Sequence, residues 1–232
     1  MLILLLLLSI LILILLYPRW SQAFAIKRWR DSLSLDKHRA AYLQLYSKVN
    51  GFALSRDARS THDAIEYTYG EIDFISFIAL LSLTRPDSNT VFYDLGSGTG
   101  TAALACAMVF NVQESNGIEL FSTLHKAACE QQNALSRLPD YKAAAKTIRF
   151  IHGNFLDFEY SNATLVFINA TGFFGSTWGL ISQRIEQTTH CKTVITTSKA
   201  LKSNAFIIKK ITTVQMSWGV VRAYIQERKK IS

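Results

Sequence analysis

The sequence is poor in the residues that would place it in a special structural class. Three cysteines in 232 residues, Cys106, Cys129 and Cys191, are odd in number and far apart, with no Cys-x-x-Cys pair. Neither a disulfide framework nor a cysteine zinc site is therefore indicated. Three prolines and eleven glycines exclude a collagen repeat, and a content of 49% hydrophobic residues excludes a disordered chain. The five histidines, His38, His62, His125, His152 and His190, show no metal-ligand spacing. A Gly-x-Ser-x-Gly nucleophile elbow is missing, because Leu95 and Thr99 occupy the glycine positions around Ser97. No internal repeat is present.

Acids are absent from the first 30 residues, where Arg19, Lys27, Arg28 and Arg30 stand. Of the 25 Lys+Arg residues, 21 remain to face 17 acids in the rest of the chain, so half of the +8 net charge follows the N-terminus directly. Basic residues placed there suit anionic lipid headgroups, and the composition does not call for nucleic acid or a nucleosome. Residues 2–16 are Leu or Ile throughout, apart from Ser9. At about 1.5 Å rise per residue, a helix of this length crosses most of a hydrocarbon core of ~30 Å. Two readings follow: a retained anchor over residues 1–18, or a signal peptide cut after Ala25 in Ala23-Phe24-Ala25. The cations follow the apolar run instead of preceding it, which favours the anchor, with the body in the cytoplasm and Tyr17, Trp20 and Trp29 at the interface.

Residues 19–66 read as a juxtamembrane and helical capping segment. Beyond them the pattern alternates: helix 72–83, strand 91–93, helix 101–110, a strand ending at Ile118, helix 121–137, strand 148–151, strand 165–168, helix 177–188 and strand 194–197. Apolar, β-branched strands alternating with helices predict a doubly wound α/β sheet buried on both faces. Two strand-like runs, 207–214 and 220–226, then predict a closing antiparallel hairpin.

The run Val91-Phe92-Tyr93-Asp94-Leu95-Gly96-Ser97-Gly98-Thr99-Gly100 leads a buried strand through a glycine loop into a helix. Glycines there let the backbone approach a ligand closely. Glu119 ends the next strand, about 20 residues on, where a carboxylate meets the two hydroxyls of a nucleotide ribose. A dinucleotide fingerprint needs Gly where Thr101 stands. Asp94 before the loop instead suits the amino acid and sulfonium of S-adenosylmethionine, so the methyl donor is preferred to NAD. The two Asn-Ala-Thr sequons, at Asn162 and Asn169, flank a strand that reads as buried, and are taken as chance matches.

Over about Tyr67 to Glu227 these residues resemble the seven-strand, non-SET histone lysine methyltransferases named for disruption of telomeric silencing. The resemblance rests on Tyr69-Gly70-Glu71, Asp94-Leu95-Gly96-Ser97-Gly98, Gly117-Ile118-Glu119, Gly153-Asn154-Phe155-Leu156, Val166-Phe167-Ile168-Asn169, Thr197-Ser198-Lys199 and Ser217-Trp218-Gly219, in the family's order. Asn154 stands where the family has an acid, Thr101 where it has Gln, and Asn169-Ala170-Thr171 where it has Asn-Asn-Phe. The resemblance implies a Rossmann-like methyltransferase domain over 67–232 that transfers a methyl group to a protein lysine. It implies that Glu71, Asp94, Gly96, Ser97, Gly98, Thr101, Glu119, Asn154, Phe155 and Asn169 hold S-adenosylmethionine. Tyr69, Phe173 and Trp218 would line the substrate channel, with Asn169 and Tyr69 at the reacting centre. The Asp-Leu-Gly-Ser-Gly run is shared with anchored methyltransferases of ATP synthase rings, which makes a membrane-proximal protein the expected partner. A small-molecule methyltransferase and an inactive donor-binding scaffold or sensor remain the alternatives.

Overall fold

A computed structural model of the protein describes residues 18, 20–60 and 63–229. The apolar run 2–16, with Tyr17, Arg19 and His62, lies outside the described residues, and so does the expected anchor. Among the described residues no helix is long and apolar enough to cross a membrane. They fall into two compact units, one ending at Ala41 and the other beginning at Tyr42.

The first unit holds helix α1 (20–32) and the opening turns of α2 (Leu35–Tyr46). Ser34 turns the chain between them with φ 49°, and Arg30 pairs with Asp36 across the bend. Asp36 sits in the first turn of α2, where the helix dipole favours an acid.

The second unit continues with α3 (Gly51–Ala58), whose first turn is closed by Asn50 accepting from the Ala53 N–H at 3.0 Å. Helix α4 (Phe74–Ser82) opens in the same way, with Asp73 accepting from the Ser76 N–H at 2.9 Å. There follow β1 (Val91–Leu95), α5 (Thr101–Val109), β2 (Glu114–Glu119), α6 (Ser122–Ser136), α7 (Lys142–Thr147), β3 (Ile148–His152), β4 (Leu165–Ile168), α8 (Gly175–Gln187), β5 (Thr193–Thr197), β6 (Phe206–Met216) and β7 (Gly219–Arg228). The expected doubly wound sheet is present with seven strands in the order β3-β2-β1-β4-β5-β7-β6. The first five strands are parallel, and β7 runs antiparallel between β5 and β6.

Every residue of β1 and β4 is buried, as strands covered by helices on both faces must be. Helix α5 is apolar all round and correspondingly buried along eight of its nine residues. The short α7, entered through a 3₁₀ turn at Pro139–Tyr141, was not expected, because six residues are too few to show a helical period. The closing hairpin turns through Ser217 and Trp218 alone, tighter than the five-residue separation read from sequence.

Since β1 pairs with both β2 and β4, the strand order reverses beside it. The carboxyl ends of β1, β2 and β4 therefore open a crevice at this switch point, where doubly wound sheets place their ligands.

Candidate active site

The chain leaves β1 through three glycines with left-handed backbone, Gly96 at φ 83°, Gly98 at 56° and Gly100 at 83°. An L side chain at any of them would be strained. The Gly96 and Ser97 N–H groups donate to the Ile118 carbonyl at 2.9 and 3.0 Å, which ties the loop to the end of β2. A Cβ at Gly96 would meet nothing within 4 Å, whereas one at Gly100 would stand 2.4 Å from the Phe150 ring. The first glycine thus leaves room for a ligand, and the third lets the helix pack on the sheet.

Glu119 is 6% exposed at the tip of β2. One carboxylate oxygen accepts from the Gly98 N–H at 2.7 Å and the other from the Phe121 N–H at 2.9 Å. Burial raises its pKa, opposed by these N–H groups. The Leu120 N–H opposes that rise as well, and the carboxylate keeps acceptor capacity for a ligand hydroxyl. Asp94, 4% exposed, is pushed up to about 8, first by burial and then by the Glu119 charge.

Both acids line a cavity of about 220 Å³. Of the residues expected at the site, Tyr69, Glu71, Asp94, Gly96, Ser97, Gly98, Thr101, Glu119, Asn154, Phe155, Asn169 and Phe173 are brought together around it. Ser97 Oγ is buried there without a hydrogen-bond partner among the described residues. It faces Gly117, where a Cβ would come within 2.7 Å of it, so the absence of a side chain there makes room for Ser97. The open face of Gly96 and the paired acids fit a cationic nucleoside with a ribose diol.

One end of the cavity is aromatic and apolar. Phe155 and Phe173 meet edge to face with ring centroids 5.9 Å apart, and Tyr67 meets Phe121 likewise at 5.2 Å. Asn154 closes a turn here, its Oδ1 accepting from the Leu156 N–H and its Nδ2 donating to Asp157, both at 3.0 Å.

Tyr69 lies over the glycine loop. A Cβ on Gly98 would come within 2.8 Å of its ring, and one on Gly51 within 2.2 Å of its hydroxyl. That hydroxyl donates to Glu71 and stands 3.1 Å from Thr99 Oγ1. Burial, then the Glu71 charge, raise the phenol well above its usual range, so the Tyr69 hydroxyl keeps its proton. Tyr46 secures the loop from behind, donating to the Thr99 carbonyl at 3.0 Å, and Tyr42 reaches the Thr101 side chain.

The Tyr69-Gly70-Glu71 segment is pinned to the hairpin turn 146 residues away. The Ser217 N–H donates to the Glu71 carbonyl at 2.8 Å, and the Glu71 N–H to Ser217 Oγ at 3.1 Å. Trp218, expected in the channel, is not among the cavity-lining residues. It is 45% exposed and lies on Gly70, where a Cβ would sit 1.7 Å from its ring. A two-residue turn projects its indole outward over the loop, away from the crevice.

Sequence reasoning missed Tyr46, Ser55, Tyr67, Leu120, Phe121 and Met216. Only Leu120 and Phe121 carried a signal, their position directly after Glu119. Among the described residues, no cluster of three or more His, Cys, Asp or Glu could hold a metal ion.

No curated protein sequence matches the chain. Among solved structures, PH1948 from Pyrococcus horikoshii, a candidate RNA methyltransferase, aligns with TM-score 0.57 at 13% identity, covering 83% of this chain and 98% of that one. Sp1610 of Streptococcus pneumoniae, a candidate tRNA (m1A22) methyltransferase in complex with S-adenosyl-L-methionine, aligns with TM-score 0.51 at 13% identity, covering 67% and 73%. TrmN from Thermus thermophilus aligns with TM-score 0.51 at 17% identity, covering 66% and 48%. At such identities the likeness concerns the fold. Residues 55–228 match the family model of the histone methylation protein DOT1, which spans the glycine loop, both acids and the closing hairpin. The chain belongs to the DOT1 histone methylation family.

Proposed function

We propose that the protein is an anchored methyltransferase that transfers the methyl group of S-adenosylmethionine to a lysine amine of a protein at the membrane surface. The observation that carries the transfer reaction is the buried acid pair at the switch point. Glu119 is presented by the backbone of Gly98 and Phe121, and Asp94 lies beside it beneath the glycine loop. Bound S-adenosylmethionine supplies an electrophilic methyl carbon on its sulfonium.

The chain's own residues bind, orient and exclude water. Glu119 accepts the ribose hydroxyls, Asp94 balances the positive charge of the methionine end, and Gly96, Gly98, Ser97 and Thr101 admit that end to the loop. Asn154 and Phe155 frame the base, while Glu71 with Tyr69 closes the loop over the donor. Phe155 and Phe173 make the neighbouring wall apolar, which favours the neutral form of an entering amine. Asn169 follows β4 beside the reacting centre. Positioning in a dry site supplies most of the acceleration.

Protein lysine as acceptor rests on membership of the DOT1 family. The membrane rests on the apolar run 2–16 and the cations behind it, which together suggest a single-pass anchor with the catalytic domain in the cytoplasm. The test is to incubate membranes and full-length protein with tritiated S-adenosylmethionine, using Asn169→Ala as control. A labelled protein band that the control lacks is expected. Label in a small molecule alone would reassign the acceptor, and normal donor affinity in Glu119→Ala would sink the site assignment.

A further inference from the structure

Asn169 is held by hydroxyls from two strand ends. Its Oδ1 lies 2.6 Å from Thr197 Oγ1 and 2.9 Å from Thr171 Oγ1, and Thr171 Oγ1 lies 2.7 Å from Ser198 Oγ. The shortest of these is typical of an O–H···O bond and shorter than the range of about 2.7 to 3.2 Å for N–H···O. The atom facing Thr197 is therefore the amide oxygen, and the threonine donates. With Thr171 donating to the same oxygen, the Thr171 hydroxyl receives its own hydrogen bond from Ser198. Both lone pairs of Oδ1 are then occupied.

Ser198 takes part from a left-handed backbone, φ 66°, which a non-glycine residue adopts only when its surroundings enforce it. Thr171 follows β4, whereas Thr197 ends β5, and the two strands pair up to Ile168 and Thr196. The hydroxyls thus reach one amide from two neighbouring strand ends, at the rim of the cavity that Asn169 lines.

We infer that Thr197, Thr171 and Ser198 are positioning residues that lock the Asn169 amide with its Nδ2 turned to the cavity, making Asn169 a hydrogen-bond donor to a carboxylate or carbonyl oxygen. This rests on the methyltransferase reading and deepens it. A neutral amine has one lone pair, which must face the methyl carbon, so an N–H directed at it would block transfer. The ligand group that Asn169 holds is an oxygen, belonging to the donor's carboxylate or to the acceptor's backbone, and not the amine.

The test uses full-length protein in detergent micelles. The ¹⁵N side-chain amide resonance of Asn169 is followed on adding S-adenosylhomocysteine, and donor affinity and turnover are measured for Thr197→Val, Thr171→Val and Thr197→Ser. Where the oxygen is the donor's, the Asn169 resonance is expected to move and gain protection in the unmodified chain and not in Thr197→Val. Turnover should fall about tenfold in Thr197→Val, the scale of one lost buried hydrogen bond, and return in Thr197→Ser.

Decarboxylated S-adenosylmethionine separates the two oxygens. If Asn169 holds the donor's carboxylate, Thr197→Val weakens S-adenosylmethionine and leaves the decarboxylated compound unchanged. If it holds the acceptor, donor affinity stays the same and KM rises. A normally folded Thr197→Val with unchanged turnover and an unchanged Asn169 response overturns the relay alone. Failure of the unmodified chain to bind S-adenosylmethionine overturns the relay together with the function.

Discussion

Asp94 makes donor binding depend on pH in a direction the structure sets. In the free chain its carboxyl titrates near about 8, because burial and the Glu119 charge both disfavour the ionised form. At pH 7 it is therefore about nine-tenths protonated. A donor carrying a sulfonium and an ammonium favours the carboxylate, so binding expels this proton. Affinity should rise about tenfold from pH 6 to 7, about fivefold from 7 to 8, and level off above. The assay is calorimetric titration of S-adenosylmethionine at pH 7 in two buffers of different ionisation enthalpy. Its slope gives the protons released, expected near 0.9 per donor in the unmodified chain and lower by that amount in Asp94→Asn. The donor's own ammonium is common to both proteins and cancels. Equal proton release in the two proteins would refute the reasoning.

The same carboxyl predicts a stability effect. Its folded-state pKa lies above its ordinary value of 3.8, so the free chain loses stability as pH rises from there through about 8. Asp94→Asn should consequently raise the melting temperature of the donor-free protein at pH 8 and leave it almost unchanged near pH 3.5. Gly98→Ala places a Cβ at φ 56° and 2.8 Å from the Tyr69 ring. It should cost at least about 1 to 2 kcal/mol in chemical denaturation and weaken the donor. Gly70→Ala drives a methyl into Trp218 at 1.7 Å, so the loop must part from the hairpin turn. A shift in tryptophan emission and lower turnover are expected, and an unchanged spectrum would count against this packing. Tyr46→Phe strips a hydrogen bond from the Thr99 carbonyl and should cost about 1 kcal/mol in denaturation, with a weaker donor.

Much of the fold was legible because its signals are local. Val91 to Tyr93 and Leu165 to Ile168 are apolar runs that water would penalise on either face, which marks strands between two helical layers. Asp94, the glycine loop and Glu119 lie within 26 residues of chain, at the spacing one strand-helix-strand unit imposes. The short helix at Lys142 escaped, having too few residues for a period to appear.

Amino-acid order by itself thus determined the doubly wound sheet, the loop and the two acids, since burial and glycine backbone freedom act on neighbouring residues. Only the tertiary structure decided how the rest of the site is assembled. Ser217 clamps Glu71 from 146 residues away, Tyr46 holds Thr99 from 53 away, and Thr197 reaches Asn169 across 28. It also laid Trp218 on Gly70, outside the cavity. Hydrogen bonds and packing between segments that meet only after the sheet closes leave no periodicity or spacing in the chain.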